Sequence, residues 1–350
     1  MKLCLIHHKL GPGGGMEVYF GNLVQECLRQ GHHVDVYVTE ALAGFHLPVE
    51  VQVTVMPVSK WVPKFLRKFV FARRLKKHLS TQHYDLRIST TRSFSQDIVI
   101  PGGTHKAYMQ ERKFWRLKDL VETYFETKSY QTSQWIVAQS PHMKEELRAL
   151  YNIPAEKIIV FYPPVNADAL NYAPHAPHQP LRLLFISTSH KRKGGLLLLD
   201  ALKQLPADAF ELWVVGRPFP EAQALQQTVK EWGYTKNLTQ LYHDADLLLL
   251  PSYFEPFGLV VVEALQSGLP VLVSRACGVT PLLKESEALI LEKQNAADLA
   301  QLLLQAKAQT FTIEPDFIAR HQLGLPEYVK RLLCLCSAQA HTETGPANSQ

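Results

Sequence analysis

Residues 247–274 read LLLLPSYFEPFGLVVVEALQSGLPVLVS and carry much of the information about the fold. Residues 247–250 and 271–274 are short apolar runs with the length of buried strands, and residues 257–267 between them have the composition of a helix. A strand, a helix and a second strand in this order form the unit from which parallel sheets are built. This stretch therefore predicts an α/β domain.

The same alternation continues on both sides of this stretch. The patterns predict strands at residues 181–187 and 211–215, and helices at residues 194–204, 220–232 and 296–306. Such a series is typical of a parallel sheet covered by helices on both faces.

Residues 1–162 show a separate series of strand and helix patterns. Residues 2–7 predict a buried strand, residues 17–30 a helix that follows a glycine-rich turn, and residues 108–133 one long helix. Two Rossmann-like domains with parallel sheets facing across a cleft are therefore predicted. Ligands of such domains bind at the carboxyl ends of the strands.

The domain boundaries follow from composition. Residues 163–180 contain five prolines and little periodicity, which predicts a linker between an N-terminal domain at 1–162 and a C-terminal domain at 181–322. We expect a helix at 323–338 that returns to the N-terminal domain, and a disordered tail at 339–350.

Composition excludes several classes of protein. With 46% apolar and 20% charged residues, the 350-residue chain is typical of a globular protein rather than a disordered one, and no apolar run is long enough to span a membrane. Five cysteines without metal or disulfide spacing indicate a reducing compartment. Residues 1–165 hold 22 Lys and Arg against 14 Asp and Glu, whereas the remainder holds 15 against 18. The basic N-terminal part predicts an anionic partner.

A glycine-rich turn, GPGGGME at residues 11–17, joins the first predicted strand to its helix. Gly14 and Gly15 allow a close backbone approach to a ligand, and the helix N-terminus offers N–H groups to an anion. A tight turn without a ligand is the alternative, because glycines often serve turns alone.

The second candidate site contains two carboxylates that lie eight residues apart in the sequence. Glu255 follows a predicted strand, and Glu263 lies more than one turn inside the next helix, surrounded by apolar residues. A solvated helix residue is a poor interpretation of Glu263, because a glutamate in such surroundings needs a partner. The spacing lets the two groups reach different parts of one ligand, with helix N-terminal amides between them.

A basic turn, HKRKGG at residues 190–195, follows the first strand of the C-terminal domain. Arg192 and Lys193 at a strand's carboxyl end suit a phosphate group. A solvated basic turn remains equally compatible with this local pattern.

The segment from Glu255 to Glu263 resembles the E-x7-E motif of the family-4 retaining glycosyltransferases of the GT-B fold, and the likeness extends over roughly residues 1–335. The lipopolysaccharide-core glucosyltransferase group is the nearest within that family. The resemblance implies a sugar-nucleotide donor, expected to be UDP-glucose, and no metal. It further implies that Glu255 binds the transferred sugar, that Glu263 binds the ribose, and that His105 lies beside the sugar.

The remaining donor contacts also follow from the resemblance. It implies that Arg192 and Lys193 hold the diphosphate, that Lys193 joins His105 and Glu255 as catalytic groups, and that Gly14 and Gly15 form a phosphate loop. The helix-mouth contacts to the donor are expected at Phe257, Gly258, Leu259 and Val260.

One departure from the family pattern concerns residues 233–246. Relatives carry a strand, a glycine-containing loop and a helix in this region, and here it is short. This departure leaves the base of the donor open.

A basic segment at residues 60–78 holds eight Lys and Arg and no acid. Cations beside aromatic side chains predict a helix in the interface of an anionic membrane, with an ordinary packed helix as the alternative. Nucleic acid is not expected, since no recognised binding fold accompanies the segment. The predicted membrane contacts are Lys60, Trp61, Lys64, Phe65, Arg67, Lys68, Arg73 and Arg74.

The sequence thus predicts a peripheral enzyme on the inner face of the cytoplasmic membrane. It would transfer a hexose, expected to be glucose, to a lipopolysaccharide core or a similar anionic glycolipid. Two alternatives stay open: a sugar-nucleotide epimerase of the same fold, and a degenerate protein that binds a sugar nucleotide without catalysis.

Overall fold

The computed structural model describes residues 1–11, 15–42, 47–112, 116–167, 170–174, 176–235 and 237–340. The chain divides into two compact units: Met1–Pro164 with Gly324–Gln350, and Val165–Leu323. Each unit is built on its own parallel sheet, which confirms the predicted α/β class with two Rossmann-like units. The predicted disordered tail at 339–350 lies almost wholly outside the described residues.

Within the described residues, the first unit forms a seven-stranded parallel sheet in the order β5-β3-β1-β6-β7-β8-β9. Its central strands are buried on both faces, as the apolar run in residues 2–6 predicts. The strands are β1 Lys2–Ile6, β2 Lys9–Leu10, β3 His33–Val38, β4 Glu40–Ala41, β5 Gln52–Val55, β6 Leu86–Ser89, β7 Ile98–Val99, β8 Trp135–Ala138 and β9 Ile158–Val160; β2 and β4 form a separate pair. The helices are α1 Gly15–Arg29, α2 Lys64–Leu79, α3 His105–Arg112, α4 Leu117–Thr132 and α5 Pro141–Tyr151.

The second unit, over its described ranges, forms a six-stranded parallel sheet in the order β12-β11-β10-β13-β14-β15. The order reverses between β10 and β13, which is the point where doubly wound sheets bind their ligands. The strands are β10 Leu181–Ser187, β11 Phe210–Gly216, β12 Thr228–Gly233, β13 Leu247–Leu250, β14 Val271–Ser274 and β15 Ala288–Leu291. The helices are α6 Gly195–Leu202, α7 Leu238–Asp244, α8 Leu259–Gln266, α9 Ala296–Ala308 and α10 Phe317–Arg320.

The last helix, α11 Leu325–Ala340, belongs to the first unit although the second unit precedes it in the chain. Val329 and Leu332 are fully buried in the apolar core that α1 shares. Burial of this apolar stripe holds the helix on the first sheet's outer layer.

The helix predicted at residues 220–232 is wrong. A short 3₁₀ turn covers Pro220–Ala224, and residues 228–233 form β12, which pairs in parallel with β11. Partly exposed Val229 and exposed Trp232 on a mostly polar segment are compatible with an edge strand. A strand is therefore present immediately before residue 233, and a short 3₁₀ turn stands where the pattern predicted a helix.

The single helix predicted at residues 108–133 is also wrong. The structure contains α3 and α4, and Arg116 between them is extended, with φ −124° and ψ 153°. The Asp119 carboxylate accepts a 2.7 Å hydrogen bond from the backbone N–H of Arg116 and caps α4 there. A new helix therefore begins where the sequence pattern indicated a continuous one.

Candidate functional site

The candidate site in the second unit lies at the carboxyl ends of β10 and β13. Gly194, in the basic turn after β10, has φ +76°, and a Cβ there would lie 2.0 Å from the carbonyl oxygen of Pro251. Only glycine permits this approach, which brings the two strand ends into contact. The backbone N–H of Tyr253 also donates to the carbonyl of Arg192 at 3.0 Å.

Arg192, Lys193 and Glu255 come together at this edge. The Arg192 Nη1 atom lies 3.2 Å from Glu255 Oε2 and donates to the Phe254 carbonyl at 2.9 Å, and the Lys193 Nζ atom lies 3.9 Å from the same carboxylate oxygen. Each of these side chains is at least partly shielded, with Lys193 and Glu255 both 14% exposed. Two cations around one anion leave a net positive charge, which suits an anionic ligand.

Gly258 is the N-cap residue immediately before α8, with φ +107°. The preceding segment is held by the backbone: Gly278 donates to the Glu255 carbonyl at 3.0 Å, and Val279 to the Phe257 carbonyl at 2.9 Å. Leu259 and Val260 form the first turn of α8 and are partly exposed, whereas Phe257 is buried. The first-turn amides of an α-helix are free to bind an anion, and α8 starts beside the basic pair.

Glu263 is held inside the unit by a tyrosine. The Tyr242 hydroxyl on α7 donates a 2.6 Å hydrogen bond to Glu263 Oε2. Burial raises the pKa of Glu263, and the Tyr242 hydrogen bond and the charge of Lys193 oppose this rise. Lys193 thus acts on both glutamates of the motif, and the partner that Glu263 was expected to need is Tyr242.

Sequence reasoning missed Tyr242. It lies on the short helix α7 between β12 and β13, next to the equally buried Leu241. An aromatic residue at such a position usually indicates core packing, and nothing in the local pattern shows that its hydroxyl meets a carboxylate.

His105 begins α3 in the first unit, where two acids of α4 hold it. Its Nε2 atom lies 3.1 Å from Asp119 Oδ1, and its backbone N–H donates to Glu126 Oε2 at 2.9 Å. The Asp119 side chain is 1% exposed and that of His105 is 16% exposed. The ring is therefore fixed through one nitrogen while part of it remains accessible.

A partly buried charge cluster adjoins His105, with Arg92 23%, Glu122 18% and Glu126 2% exposed. Arg92 donates to Glu122 at 2.7 Å and to Glu126 at 2.9 Å, and Glu126 also accepts a hydrogen bond from the Tyr151 hydroxyl. Although burial opposes its charge, the two glutamates raise the pKa of Arg92. Buried charges of this kind are stable only when they are paired, so the cluster ties α4 to the loop after β6.

The predicted phosphate loop is described only in part. Gly15 is the exposed first residue of α1, whereas Gly14 lies outside the described residues.

The basic segment forms α2 and the turn before it. Trp61 is 95% exposed and Phe65 40% exposed, and Lys60, Arg73 and Arg74 are exposed as well. Arg67 donates to the carbonyls of Val62 and Lys60. The side chain of Lys64 lies outside the described part of the chain.

The remaining apolar and basic groups of α2 pack on the unit. Lys68 points to Glu122 at 3.5 Å, and Phe71 is buried. The Phe69 ring lies 4.8 Å from that of Phe125 on α4. Part of the segment is thus an ordinary packed helix, and its exposed aromatic groups are confined to its N-terminal end.

No group of three or more metal-ligating side chains in the described ranges could hold a metal ion. Likewise, none of the helices in those ranges has both the length and the apolarity needed to cross a membrane.

Two family models match this chain. The one described as Glycosyltransferase Family 4 matches residues 13–169, and the one described as Glycosyl transferases group 1 matches residues 180–308. The chain belongs to the family 4 glycosyltransferases. A probable transglycosylase of Burkholderia thailandensis is 29% identical over 97% of this chain and 98% of its own length.

Similarity to the lipopolysaccharide glucosyltransferase WaaG of Escherichia coli reaches 24% identity over 89% of this chain and 90% of WaaG. A crystal structure of WaaG has a TM-score of 0.76 at 20% identity and covers 98% of this chain and 100% of its own. HepE of Anabaena, in complex with UDP and glucose, has a TM-score of 0.66 at 16% identity and covers 98% and 99%. These likenesses show the GT-B fold.

Proposed function

We propose that this glycosyltransferase moves a hexose, expected to be glucose, from UDP-glucose to a lipopolysaccharide core or similar glycolipid with retention of configuration. The observation that carries the proposal is the contact of Arg192 and Lys193 with Glu255 at the switch point of the second sheet. The relationship to WaaG supports the acceptor class, and the UDP complex of HepE supports the donor class.

The step needs stabilisation of a leaving diphosphate. The acceptor hydroxyl attacks the anomeric carbon on the face from which the diphosphate departs, so that one C–O bond forms as the other breaks. The hydroxyl proton passes to the departing phosphate oxygen. Arg192, Lys193 and the first-turn amides of α8 offset the developing negative charge, and we therefore expect no requirement for a metal.

The other groups have binding roles in this proposal. Glu255 accepts hydrogen bonds from hydroxyls of the transferred sugar, and Glu263 accepts them from the ribose. His105, fixed by Asp119, lies beside the sugar, and the turn with Gly14 and Gly15 contributes backbone amides. The hydroxyls of a sugar nucleotide thus meet hydrogen-bond acceptors of the protein, and its phosphates meet hydrogen-bond donors.

We also propose peripheral attachment to the inner face of the cytoplasmic membrane. Trp61 and Phe65 are exposed apolar groups beside exposed cations, and Leu120 and Tyr124 on α4 are more than half exposed on the same unit. Aromatic and basic side chains in this combination suit an interface of anionic lipids, where the acceptor resides.

Transfer from UDP-glucose to lipopolysaccharide-core acceptor tests the function, with the anomeric configuration of the product read by NMR. Glu255→Ala should reduce transfer by roughly 100-fold or more, because a positioned charged group near the reacting centre is lost. Glu285→Ala, at an exposed position of the same unit, is the matched control. Equal rates of transfer by wild type and Glu255→Ala would show that Glu255 is not part of the site. Release of glucose, or epimerisation of the donor, in the absence of acceptor would favour a different reaction.

A further inference from the structure

Tyr242 and Glu263 form a buried pair on two neighbouring elements. Tyr242 is 1% exposed, and its hydroxyl donates to Glu263 Oε2 at 2.6 Å across the short space between α7 and α8. A buried tyrosine has few rotamers, so its hydroxyl is a fixed donor. The contact therefore sets the orientation of a carboxylate that would otherwise rotate about the end of its side chain.

We propose that Tyr242 is a positioning residue for the donor nucleotide, holding Oε2 of Glu263 so that Oε1 is left for the ribose hydroxyls. This inference rests on the proposed function, in which Glu263 meets the ribose. It assigns a role to α7, the short helix between β12 and β13.

The groups around Glu263 predict how nucleotide binding depends on pH. Lys193 is the cation that acts on Glu263, whereas β13 and β14 present apolar residues. Arg320 on α10 pairs with Glu287 and Glu314 instead. The Tyr242 hydrogen bond lowers the pKa of Glu263, which burial raises, so removal of the hydroxyl raises that pKa further.

The test is titration calorimetry of UDP, GDP and ADP with the full chain between pH 5 and pH 8. For the nucleotide that binds, Tyr242→Phe should weaken the affinity at pH 7.5 by about 3- to 10-fold. Its affinity should also begin to fall at a higher pH on acidification than that of wild type, because the charged carboxylate accepts stronger hydrogen bonds from the ribose than the neutral acid does.

Two controls separate positioning from general loosening. Tyr172→Phe removes another hydroxyl of the same unit, which donates to the backbone carbonyl of Ile313 at 3.0 Å, and should leave the affinity and the pH profile unchanged. In the Glu263→Gln background, Tyr242→Phe should change affinity by less than about twofold, since it acts through Glu263.

Three results would overturn the inference. The first is a Tyr242→Phe variant with the affinity and pH profile of wild type, which leaves the proposed function intact. The second is an equal loss in Tyr172→Phe. The third is the absence of binding of all three nucleotides by the wild-type protein, a result that would contradict both the proposed function and this inference.

Discussion

The Tyr19 hydroxyl on α1 donates a 2.8 Å hydrogen bond to the hydroxyl of Tyr328 on α11, a residue 309 positions further along the chain. The two rings meet edge to face, with centroids 6.0 Å apart. The C-terminal helix is therefore a structural part of the first unit, and its packing contributes to the stability of that unit.

The first prediction concerns this helix. Leu332→Ala removes a fully buried side chain from the core of the first unit and should lower its free energy of unfolding by about 2–5 kcal/mol. Urea denaturation measures the change. Exposed Lys330→Ala should stay within about 0.5 kcal/mol of wild type, and equal effects of the two would show that α11 is not packed as described.

The second prediction concerns the partly buried charge cluster of Arg92, Glu122 and Glu126. Arg92→Met leaves the carboxylates of Glu122 and Glu126 without their main cation, so the unfolding free energy should fall by about 3–5 kcal/mol. Chemical denaturation again provides the measurement. Arg73→Met replaces an exposed arginine and should be nearly neutral; a loss below about 1 kcal/mol for Arg92→Met would argue against a cluster that depends on pairing.

The third prediction is a pH dependence of stability. Burial lowers the pKa of His7 from 6.5 to about 4, so the unfolded chain binds a proton there more readily than the folded one. Stability contributed by neutral His7 is complete above pH 6.5 and declines as the pH falls towards 4, by at most about 3 kcal/mol.

His7→Gln should therefore flatten the slope of unfolding free energy against pH between 4 and 6.5, as measured by urea denaturation at intervals across this range. His83→Gln at an exposed position serves as the control and should preserve the slope. Parallel curves for wild type and His7→Gln would contradict the assignment.

The fourth prediction separates two adjacent lysines. Lys193 is 14% exposed and close to Glu255, whereas Lys191 in the same turn is exposed. Lys193→Ala should reduce kcat/KM for the sugar nucleotide by about 10- to 100-fold, because it removes a charge-assisted contact to the diphosphate. Lys191→Ala should retain nearly full activity in the same steady-state assay, and a comparable loss there would indicate an effect of net charge alone.

The fifth prediction concerns the membrane. Replacing Trp61 and Phe65 by serine should lower partitioning to vesicles of anionic phospholipid by about tenfold or more, because both side chains are exposed apolar groups beside cations. Sedimentation with vesicles measures this. Val49→Ser, at a 99% exposed site on the same unit, controls for loss of apolar surface in general, and unchanged partitioning of the double variant would place the contact elsewhere.

The strands were the most predictable part of the fold. β1, β10, β13 and β14 are buried on both faces, so their apolar runs are unambiguous in the sequence. The pattern predicted a helix at the edge strand β12. Most of its residues are exposed and several are polar, so the sequence shows neither the two-residue period of a strand nor the 3.6-residue period of a helix clearly. The start of α4 depends on the Asp119 cap, which local apolar periodicity does not reveal.

The sequence by itself determined the parallel sheets, the switch-point site and the spacing of Glu255 and Glu263, because these depend on short-range pattern and on glycine at fixed positions. Only the tertiary structure decided which side chains satisfy the buried charges: Tyr242 for Glu263, Asp119 for His105, and Glu122 for Lys68. These partners lie 14 to 54 residues apart in sequence. A buried polar group must find a partner, but the fold, rather than the neighbouring sequence, determines which partner is near enough.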